Sequence, residues 1–426
     1  MAIELGLSRV QNLLRSLGNP QNKLRVLHVA GTNGKGSVCT YLQSILQTQK
    51  TALVGKFTSP HLIHITESIS VNDQAIPLPV FHSIRNRLES INQELQLKCT
   101  EFELLTCTAF EYFWQKKCQW CVLEVGLGGR LDATNCVQGH RKICGITKIG
   151  KDHESFLGDT IEKIAYEKAG IIVEGVPFVA VDGTNDPQVL KVIETKAHMT
   201  ATHVSVVNSN ETAPDVIRTE TWGEIPRSCI PLNGAYQTAN ASVALAMLEY
   251  LHQKGLVTLD RQQIVDGLHN VQWPGRLQTL QYSVCPEHNL QILLDGAHNG
   301  AAALELSAYL QTQVRTVNDR GKTNPITFVL AVTNGKDVTS LLTPLVTPDD
   351  TVIVTQFEAV DKMPWIASMQ PEELATTVEK HTHNVLVEPK LDDALKRAHM
   401  LNRGPVVVCG SLYLCGQLLR NVSGTP

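Results

Sequence analysis

Strand-length apolar runs alternate with helical patterns along this chain, and the alternation runs through twice. The first series covers residues 24–30, 52–55, 120–125, 143–149 and 177–181, with helical patterns at 101–116 and 160–169 among the segments between. The second covers 292–295, 326–332, 351–355, 385–387 and 406–409, separated by helical stretches such as 301–311 and 391–400. Parallel strands need a long crossover, usually a helix, so this order predicts mainly parallel sheets covered on both faces. Between the series stands Val271-Gln272-Trp273-Pro274-Gly275-Arg276-Leu277, where the Pro-Gly step breaks any helix. A chain of 426 residues is too long for one hydrophobic core. Two α/β domains are expected, residues 1–277 and residues 278–426, the second smaller and Rossmann-like. The polar, proline-punctuated stretch 210–228 reads as a surface excursion.

Composition narrows the classes. Hydrophobic residues at 43% and charged residues at 18% describe an ordinary globular protein, and a net charge of −4 gives no general attraction to nucleic acid or anionic membrane. No apolar run reaches membrane-spanning length. Residues 1–18 read as an amphipathic helix with Leu5, Leu7, Val10, Leu13 and Leu14 inward, rather than a signal peptide. With Arg9, Arg15 and Glu4 the segment also makes a poor transit peptide, so a cytoplasmic location is expected, a mitochondrial fraction being the alternative. The cysteines, Cys107, Cys121, Cys144, Cys409 and Cys415 among them, mostly fall inside apolar patterns and read as buried thiols. Cys118-Gln-Trp-Cys121 has no second pair at zinc spacing and reads as packing.

Three segments carry chemistry. In the first, the run Val26-Leu27-His28-Val29-Ala30 empties into Gly31-Thr32-Asn33-Gly34-Lys35-Gly36-Ser37. A helical pattern follows, with Val38, Tyr41, Leu42, Ile45 and Leu46 on the buried face. Such a unit aims backbone N–H groups and a helix N-terminus at a phosphate. Lys35 would add charge, and Ser37 a hydroxyl able to reach Mg²⁺. The match to the common P-loop pattern is imperfect, since Val29 replaces its first glycine and Gly36 separates Lys35 from Ser37. A plain glycine turn is the alternative. In the second segment Glu124 closes an apolar strand, where a carboxylate is costly unless paired or metal-bound. The loop Gly126-Leu127-Gly128-Gly129-Arg130-Leu131-Asp132 fails the dinucleotide fingerprint at Leu131. Glu124 therefore reads as a metal ligand followed by a substrate loop, or as half of an ion pair. The third segment, Ile149-Gly150-Lys151-Asp152-His153-Glu154, puts His153 past another strand end, as a surface residue or as a metal ligand.

Together the motifs resemble the folate branch of the Mur ligase superfamily, the dihydrofolate synthase/folylpolyglutamate synthase family. The resemblance rests on 30–37, Phe57-Thr58-Ser59-Pro60-His61-Leu62, 124–135, Asp152-His153, Glu167-Lys168-Ala169-Gly170-Ile171, Trp273-Pro274-Gly275-Arg276-Leu277 and Asp295-Gly296-Ala297-His298-Asn299. The turn Gly31–Ser37 is this family's own form of the P-loop. The short chain and its ending, Val408-Cys409-Gly410-Ser411-Leu412-Tyr413-Leu414-Cys415-Gly416, look most like the single-function fungal members.

The resemblance implies a Mur ligase architecture, with an ATP-binding domain followed by a glutamate-side domain. Gly34, Lys35, Gly36 and Ser37 would hold the ATP phosphates, and Ser59, Glu124 and His153 the Mg²⁺, with a monovalent cation such as K⁺ as an optional addition. Lys168 matches a lysine often carbamylated in relatives, a structural Lys–Glu pair being the alternative. Asn240 would meet the adenine, Arg276 and Asp295 the phosphates and ribose. Asp132, His298 and Ser411 would lie on the substrate side. Lys35, His153, Lys168 and Arg276 would form the catalytic set. Where many relatives carry arginines, the chain reads His64-Ile65-Thr66-Glu67-Ser68-Ile69.

The implied reaction is ATP-dependent joining of L-glutamate to 7,8-dihydropteroate through an acyl phosphate, which gives dihydrofolate, ADP and phosphate. Extension of the γ-glutamyl tail of tetrahydrofolate is the alternative. A nucleotide switch would not need the second α/β domain, and a dehydrogenase lacks its fingerprint. The expected partners are these small molecules alone, taken by a monomer.

Overall fold

The computed structural model describes residues 5–207, 215–285, 287–315 and 323–423. The chain forms two compact units. The first comprises Met1–His61, Thr66–Pro231 and Tyr236–Gln272, and the second Leu62–Ile65, Leu232–Ala235 and Trp273–Pro426. The main cut thus falls at 272/273, ahead of the expected 277/278, and two short segments join the second unit. Packing accounts for both. Leu62 lies against the second unit's core, and Gly416 sits so close to the Leu62 carbonyl that a Cβ would collide with it. Asn233 Nδ2 donates to the Leu277 carbonyl at 2.9 Å.

In the first unit eight strands make one sheet: β1 (Val26–Ala30), β2 (Val54–Phe57), β3 (Ile69–Val71), β4 (Gln74–Ala75), β5 (Trp120–Glu124), β6 (Lys142–Ile146), β7 (Phe178–Asp182) and β8 (His203–Val207). Their spatial order is β4-β3-β2-β5-β1-β6-β7-β8. The β3 strand pairs antiparallel with both β2 and β4, and the other pairs are parallel. Every residue of β1, β2, β5, β6 and β7 is buried, as helices on both faces require. The helix Lys35–Gln47 buries Val38, Tyr41, Leu42, Ile45 and Leu46, the face its spacing predicts. The helix Glu101–Gln115 opens on a capping box in which Thr100 and Glu103 exchange hydrogen bonds.

Register fixes what matters for function. Val29 of β1 lies beside Glu124 of β5, Ala30 beside Ile146 of β6, and Phe57 of β2 beside Leu123 of β5. The carboxyl ends of β2, β5, β1 and β6 therefore form one continuous rim.

A hairpin follows in sequence, β9 (Val216–Thr219) with β10 (Gly223–Pro226). Part of the expected surface excursion is thus paired strand, and its residues 210–214 lie outside the described residues. The second unit carries β11 (Gln278–Cys285), β12 (His288–Leu294), β13 (Thr327–Leu330), β14 (Thr351–Val354), β15 (Asn384–Val387) and β16 (Val406–Cys409), in the order β11-β12-β16-β13-β14-β15. Only β11 is antiparallel to its neighbour.

The first helix spans Ser8–Ser16, shorter than the expected 1–18. Val10, Leu13 and Leu14 are fully buried, while Leu5 and Leu7 precede the helix and stay partly exposed. Residues 1–4 lie outside the described residues. All eleven cysteines are unpaired, and nine are buried, Cys118 and Cys121 included. Among the described residues no helix is long and apolar enough to cross a membrane.

Candidate active site

The rim brings Lys35, Ser59 and Glu124 together, with Lys168 beside the turn. Leaving β1, the chain enters the turn 31–37. Gly34 caps the helix Lys35–Gln47 with φ +91°, a conformation glycine adopts without strain. Its neighbour leaves no choice either, since a Cβ on Gly34 would collide with Asn240 Oδ1. The Val38 N–H is bonded to the Gly34 carbonyl at 3.0 Å. The N–H groups of Lys35, Gly36 and Ser37 start the helix, with no acceptor within it.

The turn is held by its neighbours. Thr32 and Asn33 N–H donate to the Lys148 carbonyl at 2.9 and 3.2 Å. Thr147 Oγ1 donates to the Asn33 carbonyl at 2.7 Å, and Thr32 Oγ1 to the Gly150 carbonyl at 3.0 Å. Lys35 Nζ donates to the Thr32 carbonyl at 3.0 Å and lies 3.9 Å from Glu124 Oε1. The other Glu124 oxygen accepts from Ser59 N–H at 3.2 Å, so the β2 and β5 ends meet there.

Lys168, on the helix Ile161–Ala169, is buried and donates to the Gly31 carbonyl at 2.8 Å. Burial pushes its amine down to about 7, the Lys35 charge adds to this, and Asp152 and Asp132 oppose it. His153 is left-handed, with φ +54°, at the start of the short helix Glu154–Leu157. It lies 3.9 Å from the Asp152 carboxylate with its side chain 42% exposed.

Asp132 is placed differently from a substrate-facing acid. It is 2% exposed, and its carboxylate accepts from its own loop: Gly126 and Leu127 N–H at 3.0 and 2.9 Å, Thr134 N–H at 3.0 Å and Thr134 Oγ1 at 2.5 Å. Burial pushes its carboxyl up against the pull of these bonds. Thr134 Oγ1, having donated to Asp132, accepts from His28 Nε2 at 2.8 Å. Burial first and the Lys142 charge second hold His28 well below the usual imidazole value, so it is neutral. Asn240, expected at the adenine, packs against Gly34, with Nδ2 donating to Gln237 Oε1 at 3.1 Å.

In the second unit Asp295 follows β12 and Ser411 follows the adjacent β16. Asp295 accepts from Leu277 N–H at 2.9 Å and Ala297 N–H at 2.8 Å. Its burial raises the carboxyl, against the Arg276 charge. Gly296 leaves room for Arg276, whose Nη1 would lie 2.9 Å from a Cβ built there. His298 Nδ1 donates to the Gly296 carbonyl at 2.8 Å, which turns Nε2 into the acceptor nitrogen. Ser411, expected on the substrate side, is 1% exposed; its Oγ accepts from Tyr413 N–H at 3.1 Å, at the start of the helix Leu412–Ser423. It caps that helix.

Residues 29–248 match the Mur ligase middle domain, and residues 278–421 match the dihydrofolate synthetase C-terminal domain. The chain is 51% identical over 428 residues to the dihydrofolate synthetase of Saccharomyces cerevisiae, with 99% of this chain and 98% of that protein covered. It belongs to the dihydrofolate synthase/folylpolyglutamate synthase family of Mur ligases. A probable dihydrofolate synthetase of Schizosaccharomyces pombe is 38% identical, with 99% of each chain covered. Among solved structures, E. coli FolC in complex with DHPP and ADP is similar at TM-score 0.79 and 27% identity, covering 100% of this chain and 94% of that one. Folylpolyglutamate synthase of Mycobacterium tuberculosis complexed with ADP and AMPPCP gives TM-score 0.82 and 28% identity, covering 99% and 96%.

Family membership makes the chain an ATP-dependent ligase, and the rim suits Mg²⁺. That ion takes one or two protein oxygens and fills its shell with water and phosphate oxygens. Glu124 and the hydroxyls of Ser37 and Ser59 are such donors. Among the described residues no group of three or more His, Cys, Asp or Glu side chains forms an all-protein cage. Sequence reasoning missed Thr147, His28, Thr134 and Gln237. His28 left one signal, a polar residue inside an apolar strand run.

Proposed function

We propose that this ligase joins L-glutamate to 7,8-dihydropteroate, giving dihydrofolate, ADP and phosphate. The observation that carries this reading is the 51% identity to a dihydrofolate synthetase along 99% of the chain, and the rim of four strand ends supports it.

A carboxylate oxygen leaves too poorly for an amine to displace it, so the γ-phosphoryl group of ATP is first transferred to form an acyl phosphate. That transfer needs alignment and charge neutralisation more than covalent help. The amides of Gly34, Lys35, Gly36 and Ser37 hold the phosphates, and the Lys35 ammonium swings from the Thr32 carbonyl to the transferring group. Glu124, with Ser59 and His153, would hold a Mg²⁺, which would supply positive charge to the nucleotide phosphates. With its amine near 7, Lys168 is substantially neutral at physiological pH, the form that adds CO₂ to become a carbamate. On the resemblance alone, Asn240 serves the adenine, Arg276 and Asp295 the nucleotide, and His298 the incoming glutamate. The loop shaped by Asp132 serves the acceptor. The enzyme acts as a cytoplasmic monomer.

Tail extension on a reduced folate is the second reading, favoured by 36% identity to a probable folylpolyglutamate synthase of Saccharomyces cerevisiae over 97% of this chain. Against it, the segment 64–69 carries no arginine. His64 and Ile65 are engaged by Asp361, at 3.6 and 3.3 Å. ADP release with L-glutamate and either acceptor tests the choice. Dihydropteroate should give a product with one glutamate, and efficient di- and triglutamate formation from tetrahydrofolate monoglutamate would reject the reading.

A further inference from the structure

Gln237 is a fully buried amide at the start of the helix Tyr236–Gln253, and one of its hydrogen bonds reaches Ser37 of the phosphate turn. Its Oε1 accepts from Tyr41 OH and from Asn240 Nδ2, both at 3.1 Å. Asn240 presents its amide nitrogen to Gln237, and in this arrangement the oxygen end of Gln237 faces Tyr41 and Asn240. The nitrogen end then faces Ser37 and donates to its Oγ at 3.3 Å. Ser37 therefore accepts from Gln237, keeping one lone pair and the hydroxyl hydrogen for the mouth of the turn.

A serine in the first turn of a helix has a competing arrangement, donation to the carbonyl four residues back. One turn into this helix Thr40 does that, to the Gly36 carbonyl at 2.8 Å. For Ser37 the corresponding carbonyl belongs to Asn33, which already accepts from Thr147 Oγ1 at 2.7 Å. Gln237 holds the Ser37 oxygen from one side, and Thr147 competes with Ser37 for the Asn33 carbonyl from the other, which favours the outward hydroxyl.

We propose that Gln237 is a positioning residue that aims the Ser37 hydroxyl at the metal–phosphate end of the bound nucleotide. The inference rests on the nucleotide reading of the turn given above. Groups that orient a metal's ligands change its affinity without touching it, commonly by 10- to 100-fold. The signature is therefore specific: Gln237 governs the part of nucleotide affinity that depends on Mg²⁺, and leaves the metal-free part alone.

Calorimetric titration of the full chain with the non-hydrolysable analogue AMPPCP, with and without Mg²⁺, reads this out. Gln237→Met keeps the volume and removes both ends of the amide. It should lower affinity by about tenfold with Mg²⁺, the scale of one well-placed hydrogen bond, and leave metal-free affinity unchanged. Gln237→Glu still accepts from Tyr41 and Asn240 but cannot donate to Ser37, and should show the same selective loss. Tyr41→Phe should keep the magnesium enhancement. In a Ser37→Ala background, Gln237→Met should have no further effect. A magnesium enhancement retained in both Gln237 variants would overturn the proposal, and so would equal losses with and without the metal, which mark a merely structural role. A wild-type protein with no magnesium-dependent AMPPCP binding would overturn the nucleotide reading and this inference together.

Discussion

The phosphate turn 31–37 and the loop 126–135 both follow a buried parallel strand, and those strands are neighbours in the sheet. Both lean on glycine. In the first, hydrogen bonds come from outside, from Lys148, Thr147, Gly150 and Lys168. The amides at its helix start are left to a ligand. In the second, the Asp132 carboxylate takes the amides of Gly126, Leu127 and Thr134, and Glu167 takes that of Arg130 at 2.8 Å. A turn braced by its neighbours offers donors. A loop whose own carboxylate gathers three of its amides, with Glu167 taking a fourth, offers shape more than donors. Substitutions should therefore separate, with chemistry lost in the turn and stability lost in the loop.

The largest expected effect is at Lys35. Lys35→Ala should lower glutamate-dependent ADP release by about 10²-fold or more, the scale of a lost charge at a developing negative centre. Its melting temperature should hardly move, since the ammonium is bonded only to the turn's own Thr32 carbonyl and lies near Glu124. Wild-type turnover in this variant would remove the turn from the chemistry.

A matched glycine pair comes next. Gly34→Ala meets both a φ of +91° and the Asn240 carboxamide, and should weaken AMPPCP binding by at least about tenfold. Gly128→Ala meets a φ of +69°, but its Cβ would press only on the tip of Leu157, at 3.0 Å, with Glu167 Cβ in ordinary contact at 3.8 Å. It should cost about 1–2 kcal/mol in urea denaturation with nucleotide affinity intact. Equal effects on binding would erase the distinction between the two loops.

How these loops appear in the sequence follows the same division. Lys35 and Glu124 are charges closing apolar runs, visible without any partner, and the rim was legible once the strands were taken as parallel. What braces the turn was not, because Gln237 and Asn240 arrive about two hundred residues later, and nothing local says which polar face of a buried helix meets Gly34. Asp132 was legible as important, and the structure adds that an acid two residues before Thr134 forms its bonds within its own segment. Ser411 before a helical pattern is likewise a cap signal, and the structure realises it. The strand β11 hid because its residues alternate between half-buried and exposed, leaving no apolar run.

Thr134 tests the inner bracing. Thr134→Val keeps the shape and removes a hydroxyl that both donates to Asp132 and accepts from buried His28. Leaving buried His28 Nε2 without its acceptor, and removing one of the four bonds to Asp132, should cost about 1–3 kcal/mol of stability. KM for the acceptor should rise while KM for ATP stays, as expected of a loop that offers shape. A rise confined to ATP would reverse the assignment.

The last comparison concerns the residue where the two loops touch. Lys168 supports Gly129 through its backbone carbonyl, against which a Cβ there would press at 2.8 Å, and it reaches Gly31 with its amine, also at 2.8 Å. Burial holds that amine at about 7 against an ordinary 10.5. Between those values the unfolded chain carries the proton and the folded chain does not. Stability therefore rises with pH across the window, by at most about 1.4 kcal/mol per pH unit from this group. Below the folded value both states are protonated, and the cost of burying the charge is fully present. Urea denaturation of wild type and Lys168→Met from pH 7 to 10 should give curves that diverge, with the wild type gaining on the variant as pH rises. Parallel curves would mean that the amine keeps its proton where the two loops meet, and that the carbonyl of Gly31 faces an ammonium rather than a neutral amine.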